Sequence, residues 1–217
     1  MRKLVVIGGL LLVLLLVLVV LDVVAKGFVE ARVEDEFRNG GRIQVEDADF
    51  AIDSFPFVAR MAAFGEVSAT LHLEGIQERG VTVDAFDLEV DGLVFDRVSA
   101  FNGDVQVTDL DQATTTVTLS EGTIGDAVGI PVDVAADGTV TAGEVTVTPA
   151  MEGGELVLTG EGVGRTAVPF PIARFLPCDP EVAVWPGQDE VTLTCVTEQL
   201  PPVVNRVLGE AGARLRG

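Results

Sequence analysis

Leu4 to Leu21 form 18 consecutive residues without a charge, mostly Leu and Val, directly behind Met1, Arg2 and Lys3. At ~1.5 Å rise per residue, a helix of that length extends about 27 Å, close to the ~30 Å hydrocarbon core of a bilayer. Val23, Val24 and Ala25 lengthen it past Asp22. The run predicts one N-terminal transmembrane helix within residues 1–25 and an exported domain over residues 26–217. Arg2 and Lys3 precede it, so the positive-inside rule holds the N-terminus in the cytoplasm and delivers the domain to the far side. A cleaved signal peptide is the alternative, and the domain is then secreted. Its apolar core spans about 7–15 residues, shorter than this run, although Val23 and Ala25 supply a small-residue cleavage site.

Charge narrows the partners. The 217 residues carry 14 Lys and Arg against 34 Asp and Glu, a formal net charge of -20. Nucleic acid is excluded, because binding it requires Lys and Arg to neutralise phosphates. A polybasic dock on anionic headgroups is disfavoured for the same reason, so any lipid contact is mainly apolar. The acidity itself reads as a solvated surface.

The two cysteines, Cys178 and Cys195, both follow the apolar run, and an oxidising compartment pairs them. Trp185-Pro186-Gly187-Gln188 reads as a turn with Pro at i+1 and Gly at i+2. In a hairpin centred between Pro186 and Gly187, partner numbers total 373, as Cys178 and Cys195 do. The spacing thus predicts a disulfide between directly opposed residues. Neither cysteine has the Cys-x-x-Cys or His company of a metal site.

From Val24 to Phe37 the pattern is helical: Ala25, Val29, Val33 and Phe37 recur four apart among acids and arginines, and Asn39-Gly40-Gly41 stops the run. Beyond Gly41 the period becomes two, as in Val67, Ala69, Leu71, Leu73 and in Phe86, Leu88, Val90. Turn signals such as Asp91-Gly92, Asn102-Gly103 and Asp137-Gly138 separate these runs. Such alternation predicts antiparallel strands with one buried and one wet face. A helix capped by Ser120 and ending by Gly129, and another starting at Pro201-Pro202, interrupt them. The fold class is α+β, dominated by a long meandering antiparallel sheet.

Catalytic templates find no residues. His72, the only histidine, sits between Leu71 and Leu73, where alternation turns it outward. Gly-x-Ser-x-Gly, a Cys/His pair and His-Glu-x-x-His are all missing from the sequence. Asp87-Leu88-Glu89-Val90-Asp91-Gly92 begins like a calcium loop, but its twelfth position is Val98 where a bidentate Glu is needed. It reads as a strand's solvent face and its turn. The expectation is a non-enzyme, with no catalytic residue, metal or cofactor.

One segment breaks the two-residue period. Phe50, Phe55, Phe57 and Phe64 fall within fifteen residues, and Ser54 can cap a short helix running on to Phe64. The cluster is either a loop pinned into the core or an aromatic lip at the mouth of an apolar cavity. On the second reading these four residues are the candidate lipid-binding site, with Phe57 expected to be the more structural and Phe55 the more exposed.

The anchor, the acidic amphipathic helix, Ser54-Phe55-Pro56-Phe57 and the run of alternating strands together resemble the LmeA-type phospholipid-binding proteins of actinobacterial cell envelopes. Leu176-Pro177-Cys178, Val191 to Cys195 and Leu200-Pro201-Pro202 look like that family's closing hairpin and helix. The resemblance implies an elongated, tubular-lipid-binding-like sheet wrapped around a helix, with an apolar groove for phospholipid acyl chains. It also implies lipid binding or transfer in envelope lipid or lipoglycan maintenance. It carries over no catalytic residue. The alternative function is a non-enzymatic structural or interaction module of the envelope without a lipid cavity.

Overall fold

The polar stripe of the N-terminal helix, more than its apolar one, decides how the domain begins. The computed structural model describes residues 2–39, 44–63, 65–78, 81–96, 107–135, 137–162, 164–170, 172–184 and 189–206, without the side chains of 2–15, 62, 78, 81 and 95. Helix α1 (Arg2–Asn39) is continuous and passes through residues 25 and 26 without a break. Strand β1 (Asp47–Ile52) lies at the edge of a sheet, where outward N–H and C=O groups have no strand partner. Side chains of α1 take the place of that strand. The Ile52 N–H donates to Glu30 Oε1 at 2.7 Å and the Phe50 N–H to Glu34 Oε1 at 3.4 Å, while Arg38 Nη2 donates to the Ala48 carbonyl at 2.6 Å. Residues four apart lie above one another on a helix face, so Glu30, Glu34 and Arg38 form a ladder against the edge. Lys26 braces Glu30 at 3.6 Å and Arg38 braces Glu34 at 3.9 Å. Beside that ladder Phe37 is buried and Val33 packs against the core.

Strands β2 (Glu66–Glu78), β3 (Val81–Phe95) and β4 (Val107–Ser120) continue from β1 as an antiparallel meander. Ser120 then ends β4 and caps the helix Glu121–Val128 by accepting the Thr123 N–H at 3.2 Å. Gly129 closes that helix in the left-handed region, as the sequence predicts. The chain next builds a second antiparallel sheet in sequence order: β5 (Val132–Val134), β6 (Val140–Ala142), β7 (Val145–Glu152), β8 (Glu155–Gly160) and β9 (Gly164–Val168). A four-residue helix, Ile172–Phe175, leads into the hairpin of β10 (Glu181–Val184) and β11 (Glu190–Thr197). That hairpin returns to the first sheet, giving the order β1-β2-β3-β4-β11-β10. The fold is α+β with antiparallel sheets. The expected single meander is divided in two because the helix capped by Ser120 redirects the chain after β4.

One apolar core joins the two sheets. Phe86, Val117 and Leu193 from the first meet Leu156 and Leu158 from the second, together with Ile124 and Phe175 from the helices between them. Phe175 lies 6.1 Å from Phe86 and stacks on Phe170 at 5.5 Å.

Three expectations change in detail. Asp91-Gly92 is not a turn: β3 runs through it, with Gly92 at φ 64° opposite Asp111, whose side chain fills the space a Cβ would need. Only glycine combines that φ with so close an approach. The closing hairpin pairs Val182 with Leu193 and Val184 with Val191, so partner numbers total 375 rather than 373. Cys178 and Cys195 are disulfide-bonded, with Cα atoms 6.0 Å apart, but Cys178 reaches its partner from the loop before β10. Asn102-Gly103, the hairpin turn at 185–188 and residues 207–217 lie outside the described residues.

Candidate lipid-facing site

The strand β1 and helix α1 run in opposite directions, and this locates the phenylalanine-rich segment. Ala48 lies level with Arg38, Phe50 with Glu34 and Ile52 with Glu30. The chain therefore descends toward the N-terminal end of α1 as it approaches Phe55. It arrives at Asp22. The carboxylate of Asp22 accepts the Phe57 N–H at 3.0 Å and the Val58 N–H at 2.6 Å, at the start of the short helix Phe57–Ala63. A negative charge there also suits the positive end of the helix dipole. Asp22 is buried, although it stands at the end of an apolar run.

Ser54 is therefore not the cap expected of it. It is buried, and its hydroxyl accepts the Ser68 N–H at 2.7 Å, tying the segment to β2. The cap comes from 35 residues earlier in the chain, a pairing that no local pattern can reveal. The one signal was Asp22 itself, the lone charge between Leu4 and Ala25.

The four candidate phenylalanines do not act alike. Phe50 and Phe57 are half-buried and pack against the core. Phe55 is 64 % exposed, next to Val58 at 45 %. Phe64 lies outside the described residues. On α1, Leu16 to Leu21, Val23, Val24 and Phe28 are also exposed, giving this end of the protein a broad apolar surface. Contiguous surfaces of that kind mark sites of lipid or protein contact. From Ser54 to Gly65 the sequence contains no acid, and its only charge is Arg60. On a chain of net charge -20 this is a local exception.

Among the described residues no helix is long and apolar enough to cross a membrane. The expected transmembrane helix is thus not supported by them: from Leu16 onward α1 carries Asp22, Lys26 and Glu30, and the earlier side chains are outside the described set. Among the described residues no group of three or more His, Cys, Asp or Glu side chains is placed to hold a metal ion.

His72 faces outward from β2, as its alternation predicts, and joins an acidic row. Its Nδ1 lies 2.6 Å from Asp87 Oδ1 and its Nε2 3.1 Å from Glu74 Oε1, with Asp49 the cross-strand partner on the other side. The hydrogen bond to Asp87, then that to Glu74, raises its pKa above the ordinary 6.5. Protonated His72 is favoured by folding, so its contribution is complete below the unfolded pKa of about 6.5. It fades as pH rises through the raised folded value. The melting temperature should accordingly fall slightly across that window, and His72→Asn should flatten the slope. A thermal-melt series in wild type and variant checks this. The effect is small because the side chain is 43 % exposed.

A family model described as LmeA-like phospholipid-binding matches residues 20–215. The chain belongs to the LmeA-like phospholipid-binding family. The match begins inside α1, just before Asp22, and takes in both sheets and the closing hairpin. No curated protein and no solved structure matches the chain.

Proposed function

We propose that this member of the LmeA-like family is an envelope-anchored phospholipid-binding or lipid-transfer protein that does no covalent chemistry. Residues 4–21 hold it in the membrane with the N-terminus cytoplasmic, and the domain from residue 26 lies outside. Acyl chains are met by the segment containing Phe50, Phe55, Phe57 and Phe64. Family membership over residues 20–215 carries the reading. The exposed, acid-free stretch around Phe55 supports it, since acyl-chain burial gains ~0.8 kcal/mol per methylene and works against a repulsive surface charge. The use of Asp22 favours an uncleaved anchor: cleavage after Ala25 would remove the acceptor of the Phe57 and Val58 N–H groups. The disulfide suits an oxidising compartment outside the cytoplasm.

Phe55 and Phe57 separate binding from packing. Phe57→Ala should cost about 1–3 kcal/mol, below the ~3–5 of a fully buried Phe. Phe55→Ala should leave stability within about 0.5 kcal/mol, as surface substitutions do, and should reduce uptake of a fluorescent phospholipid. Melting curves and uptake are measured on the same preparations. Normal uptake by a stable Phe55→Ala protein would remove Phe55 from the site.

A second reading, a structural or interaction module of the envelope, draws on the continuous core. Phe86, Phe175 and Phe170 meet where the two sheets share their apolar faces. A phospholipid found within the folded protein would decide against it.

A further inference from the structure

We propose that the tip Phe55–Val58 enters the outer leaflet of the membrane in which α1 is anchored, giving the domain a second, fixed point of contact with the bilayer. The inference rests on the anchor reading and adds to it an orientation. Three observations carry it.

The first is level. The apolar run ends at Leu21, and the next residue, Asp22, binds the backbone of Phe57 and Val58 directly. Phe55 is two residues away, at most ~8 Å of chain at 3.8 Å per Cα step. The interfacial zone on each side of the hydrocarbon core is roughly 5–7 Å deep, so a tip tied to Asp22 falls at the bilayer surface.

The second is direction. The steps from Ala48 to Phe50 to Ile52 match Arg38, Glu34 and Glu30 in turn, so the chain travels toward the apolar end of α1. It turns back only after the tip, when β2 pairs Ala69 with Ile52 and climbs again to Glu74 beside Asp47. Phe55 and Val58 are thus at the extremity of the β1–β2 unit that faces the anchor.

The third is chemistry. Phe55 and Val58 are exposed, and the stretch around them replaces the chain's acids with Arg60 alone. Apolar side chains backed by a cation suit the boundary between acyl chains and anionic headgroups. Asp22 positions this tip; it does not itself meet lipid, because it is buried and both its oxygens hold backbone N–H groups.

The test is tryptophan fluorescence on the full-length chain, with Trp185→Phe to remove the native signal and Phe55→Trp as the probe. The protein is reconstituted into vesicles of phosphatidylcholine and phosphatidylglycerol, with and without brominated acyl chains. The expected result is a blue-shifted emission that brominated lipid quenches and aqueous iodide does not. Flotation of the same vesicles after an alkaline wash reads the anchor separately. Protein that floats while its indole probe emits as in water and is quenched by iodide overturns the tip and leaves the anchor standing. A probe shielded from both quenchers in floating protein places the patch against protein, its own chain or a second copy, and also overturns the tip. Protein that fails to float overturns the anchor and the tip together. Asp22→Ala in the same background should lower quenching by bromolipid while the protein still floats, and unchanged quenching would contradict its positioning role.

Discussion

Phe86→Ala should destabilise the domain by about 3–5 kcal/mol, the range for removing a fully buried aromatic ring. Phe86 is 0 % exposed on β3 and lies 6.1 Å from Phe175, which in turn stacks on Phe170. Truncation leaves a cavity between the sheets and removes a ring pair worth roughly 0.5–1.5 kcal/mol beyond its buried area. Denaturant unfolding measures it. A loss below about 1 kcal/mol would mean that the two sheets do not share one core. Phe86→Leu should recover most of the loss, because cores tolerate a hydrophobic side chain of similar volume.

Replacing both Cys178 and Cys195 by Ala should cost about 3 kcal/mol, the chain-entropy value for closing a loop of this size. The bond spans 17 residues and ties the loop before β10 to β11, which lies between β4 and β10 in the first sheet. Both cysteines are held in the bond, so a thiol-specific reagent should not modify the native protein until it is reduced. Unfolding curves with and without reductant read the effect. Equal stability in both conditions would show that the bond does not restrict the unfolded chain.

Strand content and the disulfide were legible in the sequence because each has a short-range signature. Val67, Ala69, Leu71 and Leu73 alternate and are buried, and His72 between them faces out. Ser120 and Gly129 bound their helix as a cap and a left-handed stop should. The pairing of Cys178 with Cys195 is insensitive to the hairpin register: the strands pair two residues away from the expected register, and the loop before β10 still brings Cys178 within bonding reach.

What escaped the sequence depends on distance. The acids of α1 read as a solvent face, yet Glu30 and Glu34 satisfy the edge of β1, and Asp84 likewise accepts the Ser120 N–H from the neighbouring strand. A carboxylate hydrogen-bonded to a backbone across space leaves no local pattern. Asp22 is the clearest case, because its partners lie 35 and 36 residues away. Of the candidate site, the phenylalanine cluster was visible as composition. The division of labour between half-buried Phe57 and exposed Phe55 is the one expected of the segment, and the structure adds its cause, the hold of Asp22 on the turn. Gly92 shows the opposite error: an Asp-Gly pair signals a turn, but here it relieves crowding against Asp111 inside a long strand.

Mass spectrometry of the intact, full-length protein, purified from membranes in mild detergent, tests the central claim most directly. The expected result is protein carrying bound phospholipid, identified by extraction and replaced when a second phospholipid is added in excess. Lipid-free protein that remains folded and takes up no phospholipid when offered it would contradict a lipid-binding role.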